Sequence, residues 1–348
     1  MTDTKTLIVE LSSLIGVSGV ESEVAKKSKE LLSRFGKVSI TPLGSVLCEV
    51  MPPKEGRPNL LLDAHIDEIG MIVTFIEESG FIKVAPCGGV DRRVLSASQV
   101  SIHTKSGIVI GVVCSTPPHL FEDKEKKNKK VEEIHIDVGL NREEAQRLIA
   151  PGDRVTLCSR PIELLNRRIA GKAMDCRAGC AAIILALEQI SDSLENLDIG
   201  LSVLFSSMEE IGGQGAKTGA WQISPTHAIA VDLSFAYTPD AAREKCAEMD
   251  GGPMIGIAPI LSDAMSKELE VIAKSEGIPY QFEIMSGKTG TDADSIAAIR
   301  AGVRCGLISI PLRYMHTPIE TISATDLENT ARLIAAYTKA LGGGKEAR

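Results

Sequence analysis

Two acids stand side by side, Glu209 and Glu210, between the apolar run Leu201–Phe205 and the pair Gly212-Gly213. An apolar run with a β-branched residue, closed by glycines, is predicted to be a buried strand. In an open α/β sheet, ligands gather at the carboxyl ends of strands. Neighbouring carboxylates there can divide the work, one holding a metal while the other stays free to carry a proton. The pattern recurs along the chain. His65 and Asp67 follow the apolar run 59–63, with the alternate spacing that points side chains to one face of a strand. Asp175 precedes an alanine-rich apolar helix expected over 179–190, where a carboxylate is costly unless a positive group meets it. Arg177 is one such partner; a pair of divalent metals is another, since one carboxylate can bridge two ions. Asp232 ends the run 227–232, and His316 follows the run 303–310. Together His65, Asp175, Glu210, Asp232 and His316 form a mixed nitrogen and oxygen set that suits zinc, cobalt or manganese, with more donors than one tetrahedral ion needs. Two divalent ions about 3.5–4 Å apart, sharing Asp175, would use them all.

The elements that must position these residues read as an interrupted α/β fold. Helices are expected over 4–14 and from Ser18, whose spacing to Glu21 makes a capping box. Strands follow near 38–41, 46–50 and 59–63. From Met71 to Ile162 the texture changes to short alternating strands with one helix near 142–149, an all-β pattern. The expected organisation is a catalytic domain in two parts, 1–70 and 163–348, around an inserted β-rich domain, 71–162. Alternating strands and helices resume after 163 and close with a helix over 324–341. The run 122–130, rich in lysine, is expected to be a solvated loop, and the tail 342–348 to fray. The glycine-rich stretch Met285–Asp294 carries Lys288-Thr289 but lacks the phosphate-loop spacing, which excludes nucleotide binding there.

With 348 residues the chain exceeds the usual size of one hydrophobic core, in keeping with two domains. Its net charge of −8 argues against nucleic acid or an anionic membrane as the main partner, because both need a basic face. The N-terminus lacks the apolar core of a signal peptide and no apolar stretch reaches spanning length, so a cytoplasmic location is expected. Eight scattered cysteines without a Cys-x-x-Cys pair suit free thiols in a reducing compartment.

Five stretches taken in order, Asp63–Gly70, Met174–Cys180, Glu209–Ala216, Gly290–Ala293 and Arg313–Pro318, resemble the successive motifs of the tetrahedral aminopeptidases. These are glutamyl and deblocking aminopeptidases of the co-catalytic metallopeptidase clan. The resemblance spans nearly the whole chain. It implies a mixed, zinc-peptidase-like sheet flanked by helices, with a PDZ-like dimerisation domain as the insert and dimers assembling into a dodecamer. It implies two divalent ions per subunit, one held by His65, Asp175 and Asp232, the other by Asp175, Glu210 and His316. Asp67 would orient His65, and Glu209 would be the general base. One departure is Cys176, where the family more often has Asp or Asn.

The chemistry expected is removal of N-terminal residues from peptides by a water shared between the two ions, with Glu209 moving its proton to the departing amine. Two other readings fit parts of the pattern. A deacylase or carboxypeptidase of the same clan would use the same ions, and a non-catalytic peptide-binding scaffold would use the β-rich insert alone. Neither the preferred N-terminal residue nor the ion is legible in the sequence; Lys288 could attract an acidic side chain or point at solvent.

Overall fold

The centre of the molecule is a run of four parallel strands, in the order Gly200–Ser206, Asn59–His65, His227–Phe235 and Arg304–Arg313. The computed structural model describes residues 2–120 and 129–343. Strand Asn59–His65 is buried at every position, as expected of a parallel strand covered on both faces. Leu60, Leu62, Val203, Phe205, Ile229 and Val231 pack into one core with helices Thr4–Ser13, Met174–Ile190 and Ala324–Leu341. Their neighbours Leu61, Leu204, Ala228 and Ala230 pack the other way, against helices Gln214–Ile223 and Asp292–Ala297. This alternation is the two-residue period of a pleated strand.

Antiparallel strands extend both ends of the parallel run. Lys37–Ile40 and Val46–Met51 lie on one side; Glu320–Ser323, Arg168–Gly171 and Ile162–Leu164 lie on the other. Met254–Ile257 and Gln281–Ile284 branch off Arg304–Arg313. The result is a mixed eleven-stranded sheet flanked by helices. A second sheet closes on itself as a six-stranded barrel, from Gly70–Ile76 through Ile82–Cys87, Ile136–Asp137, Gly107–Val113, Gln99–Thr104 and Arg154–Leu157. It encloses its own core, including Met71, Val84, Val100, Ile102 and Val155. Among the described residues no helix is long and apolar enough to cross a membrane. All eight cysteines are free thiols.

Local expectations differ from the structure at three places. The second helix begins at Ser22, with Glu21 at its cap position. The Ser18 hydroxyl caps nothing and instead donates to Asp67 at 2.6 Å. The long apolar helix starts at Met174 rather than Gly179, with Asp175 and Cys176 in non-helical backbone inside it. Arg177 is not the partner of Asp175; it turns away to donate to the carbonyls of Ile66 and Leu11, at 2.7 and 2.6 Å. Of the lysine-rich run, positions 122–128 lie outside the described residues, as do 344–348 of the tail.

Candidate metal centre

His65 ends strand Asn59–His65 and lies 2% exposed at the carboxyl edge of the sheet. Its Nε2 is 3.1 Å from Asp175 Oδ1. Its Nδ1 is 3.4 Å from Asp67 Oδ1 and 3.2 Å from the Asp67 carbonyl. Asp67 is fully buried and lies just past the strand, with its carboxylate close to the ring. That carboxylate also accepts from Ser18 and from the backbone N–H groups of Glu209, at 3.0 Å, and Glu210, at 3.2 Å. Burial opposes its charge, but these donors, His65 foremost, hold it below the usual carboxylate range. An ionised carboxylate behind one imidazole nitrogen fixes the tautomer that leaves the other nitrogen free as a ligand.

Asp175 is the junction. Its Oδ1 faces His65 and its Oδ2 lies 3.7 Å from His316 Nε2. Glu210 Oε2 lies 3.6 Å from the same nitrogen. Ligand atoms of His65, Asp175, Cys176 and Asp232 all fall within 4.8 Å of one another, and so do those of Asp175, Glu210 and His316. The five side chains singled out from the sequence therefore converge as two clusters with Asp175 in both. Glu209 belongs to neither; its Oε2 stands 3.9 Å from His65 Nε2. The backbone takes a left-handed turn at non-glycine residues just before three of these groups or at them, with φ of 53° at Ala173, 59° at Met208 and 61° at His316. Such residues are uncommon and concentrate at functional sites.

Charge is the test of what the clusters fit. Burial, then the charge of Asp175, pushes the carboxyls of Glu210 and Asp232 well above their usual range. Burial likewise raises Glu209, to about 7, although His65 works against the rise. Burial opposes a charge on His65 too, yet Asp175 and Asp67 outweigh it and push its pKa well up. Among the described residues no lysine or arginine forms an ion pair with Asp175, Glu209, Glu210 or Asp232. Four acids without a fixed counter-charge beside two imidazole nitrogens are the environment that divalent cations satisfy.

Several contributors lie outside the ligand and base set expected from the sequence. Glu320 is 1% exposed and accepts from the backbone N–H of Asp175, at 3.2 Å, and of His316, at 2.7 Å, so one carboxyl braces both clusters. Burial, then Asp175, raises its pKa well above the ordinary range. Gly89, in the loop after barrel strand Ile82–Cys87, places its carbonyl 2.9 Å from His316 Nδ1. Asp63 and Asp292 meet beneath His65, where Ser206 donates to Asp292 at 2.6 Å. Burial raises both, Asp292 to about 6. Cys176 adds a sulfur to the first cluster and donates to the Val231 carbonyl at 3.1 Å. Glu320 carried no sequence signal beyond its place at an element boundary, whereas Asp63, Asp292 and Cys176 fall inside stretches on which the family resemblance rests.

The clusters line an open pocket of about 720 Å³ that also includes Ser234, Phe235, Glu283, Met285, Lys288 and Met315. A buried donor set beside a pocket, at the carboxyl edge of a mixed α/β sheet, is the architecture of a metal-dependent hydrolase. Comparison with known proteins makes the class specific. The model of the M42 glutamyl aminopeptidase family matches residues 44–333. The lysyl aminopeptidase of Pyrococcus furiosus is 32% identical over 88% of this chain and 87% of its own length. The aminopeptidase structure from Desulfurococcus kamchatkensis is 35% identical, with a TM-score of 0.89 over 96% of this chain and 94% of that one. The TET1 peptidase of Pyrococcus horikoshii is 27% identical, with a TM-score of 0.85 over 97% and 99%, and is described as assembling into a tetrahedron or a large octahedral shell. This chain belongs to the M42 glutamyl aminopeptidase family and is of its TET type.

Proposed function

We propose that the protein is a dinuclear metallo-aminopeptidase that removes N-terminal residues from peptides. His65, Asp175 and Asp232 would hold one divalent cation, and Asp175, Glu210 and His316 the other, with zinc or cobalt favoured and manganese also suited. When bound, the cations would lower the pKa of a water between them and polarise the scissile carbonyl. Asp67 keeps His65 turned toward its cluster and, through the Glu209 and Glu210 amides, holds the two acids in register with it. Glu209 takes the proton from the attacking water and passes it to the departing amine. The observation that carries this reading is the pair of clusters sharing Asp175, with Glu209 beside them but in neither. The deciding measurement is Glu209→Gln. It should retain both metals by elemental analysis yet lose about 10²-fold to 10⁴-fold in kcat on aminoacyl anilides. Undiminished turnover would remove Glu209 from the role.

The same reading treats residues 71–162 as an inserted PDZ-like dimerisation domain, with 1–70 and 163–348 forming the catalytic domain. Support comes from the barrel's separate core and from Ile108, Ile110 and Val112, which alternate along strand Gly107–Val113 with 62%, 56% and 44% exposure. A contiguous apolar stripe of this kind suits a partner surface. Dimers joined there would assemble further into a dodecamer, the form described for TET1 of Pyrococcus horikoshii.

A further inference from the structure

The family and its relatives carry both glutamyl and lysyl in their descriptions, so the preferred N-terminal residue has to come from this chain's own pocket. Apart from the acids of the metal clusters and Glu209, the pocket is lined by two carboxylates, Asp294 and Glu283. Asp294 is consumed locally, accepting from the Thr289 amide and hydroxyl and from the Gly290 amide. Glu283, on strand Gln281–Ile284, is half-buried, and each of its oxygens accepts a hydroxyl hydrogen bond, one from Ser234 and one from Ser309 at 2.7 Å. No lysine, arginine or histidine pairs with it among the described residues.

Its position is set by the sheet. Ser309 is the register partner of Asp232 on the adjacent strand, and Ser234 lies two residues beyond Asp232 on the same face. Two residues along a strand is about 7 Å, so Glu283 lies from the first cluster at a distance comparable to an extended lysine side chain. Phe235, Met285 and Met315 supply apolar lining for a methylene stem. A carboxylate oxygen has two lone pairs, so each keeps an acceptor position after the serine bonds.

The geometry points to Glu283 as the specificity-determining residue that accepts the cationic side chain of an N-terminal lysine or arginine. This rests on the aminopeptidase reading and extends it to a substrate class. Lys288 lines the same pocket but is exposed on its loop. A solvated ammonium on a flexible stem contributes less to selectivity than a carboxylate fixed by hydroxyls from two strands.

The test uses the metal-loaded enzyme with lysyl, norleucyl and glutamyl anilides, norleucine being close in shape to lysine without its ammonium. The wild type should favour lysyl over norleucyl by about 10-fold to 100-fold in kcat/KM, the range expected of a hydrogen bond to a charged group. Glu283→Gln should bring the lysyl-to-norleucyl ratio of kcat/KM to about one, and Glu283→Lys should shift preference to glutamyl. Equal lysyl and norleucyl rates, a wild-type preference for glutamyl, or a uniform loss on all three in Glu283→Gln would overturn the assignment. Should no anilide be cleaved, the aminopeptidase reading fails separately, and calorimetric binding of lysinamide against norleucinamide decides the pocket. Tighter lysinamide binding lost in Glu283→Gln supports it; equal binding overturns it.

Discussion

The two imidazoles of the centre sit in different surroundings. His65 is sealed in the sheet, 2% exposed, with an ionised carboxylate behind it. The His316 side chain is 28% exposed at the pocket wall, and a neutral group, the Gly89 carbonyl, stands behind its Nδ1. A carboxylate raises the basicity of a ligating imidazole more than a neutral carbonyl does, and burial strengthens the attraction between ligand and cation. If both clusters hold cations, as proposed above, their affinities are expected to differ, with the cation on the His65 side held tightly and the one beside His316 more exchangeable.

The largest effect should come from removing what the two halves share. Asp175→Ala is expected to cost on the order of 10³-fold or more in affinity for both cations, beyond the 10-fold to 100-fold typical of outer partners. Titration with a divalent metal should then show neither site saturating at micromolar concentration. A single retained tight site would show that the halves are independent. Next, His65→Ala should abolish the tighter isotherm, whereas His316→Ala should abolish only the weaker one. Equal loss from either variant would break the proposed asymmetry.

Smaller effects test the groups behind the rings. Asp67→Asn should weaken the tight cation by about 10-fold to 100-fold. Gly89→Ala should act on the weak one alone, since an added Cβ would meet His316 Nδ1 at 2.8 Å.

The smallest effect concerns stability. In the metal-free protein Glu209 is raised to about 7 and Asp292 to about 6, and Glu210, Asp232 and Glu320 also lie above their usual range. Raised acids bind more protons folded than unfolded, so their contribution is fully present below the unfolded pKa values near 4 and is lost as pH rises through 6 and 7. The Tm of metal-stripped protein should fall by a few degrees between pH 5 and 8. Saturating metal should reverse the fall, since about 100-fold excess over Kd contributes roughly 2.7 kcal/mol. A metal-free Tm that rises over this range would contradict the shifts.

How much was legible beforehand follows from the range of each contact. His65, Glu210 and Asp232 close apolar runs, so their place at the sheet edge could be read from local pattern. The β-rich texture of 71–162 was legible for the same reason, because a two-residue alternation needs only a short window. The mixed sheet followed only from the family resemblance, and closure of the second sheet into a barrel depends on long-range pairing that no local pattern carries. Ser18 was misread because a capping box is also a local pattern, while its true acceptor, Asp67, is 49 residues away. Gly89 lies 227 residues from His316 and contributes only a backbone carbonyl, which no residue type advertises. Glu320 offered a single acid at the start of a short strand, and nothing nearby signalled that two distant amides would point at it.

The carbonyl behind His316 has one more consequence. It is lent by the loop after barrel strand Ile82–Cys87, whose Asp91 amide also donates to the His316 carbonyl at 3.3 Å, whereas the cluster side chains themselves come from the large sheet and its connections. The sheet alone does not hold the Nδ1 of that ring, so on the dinuclear reading the affinity of the His316 cluster depends on the barrel loop staying in place. On that reading an event that shifts this loop, self-association through the outer barrel strand included, would change metal affinity at the His316 cluster.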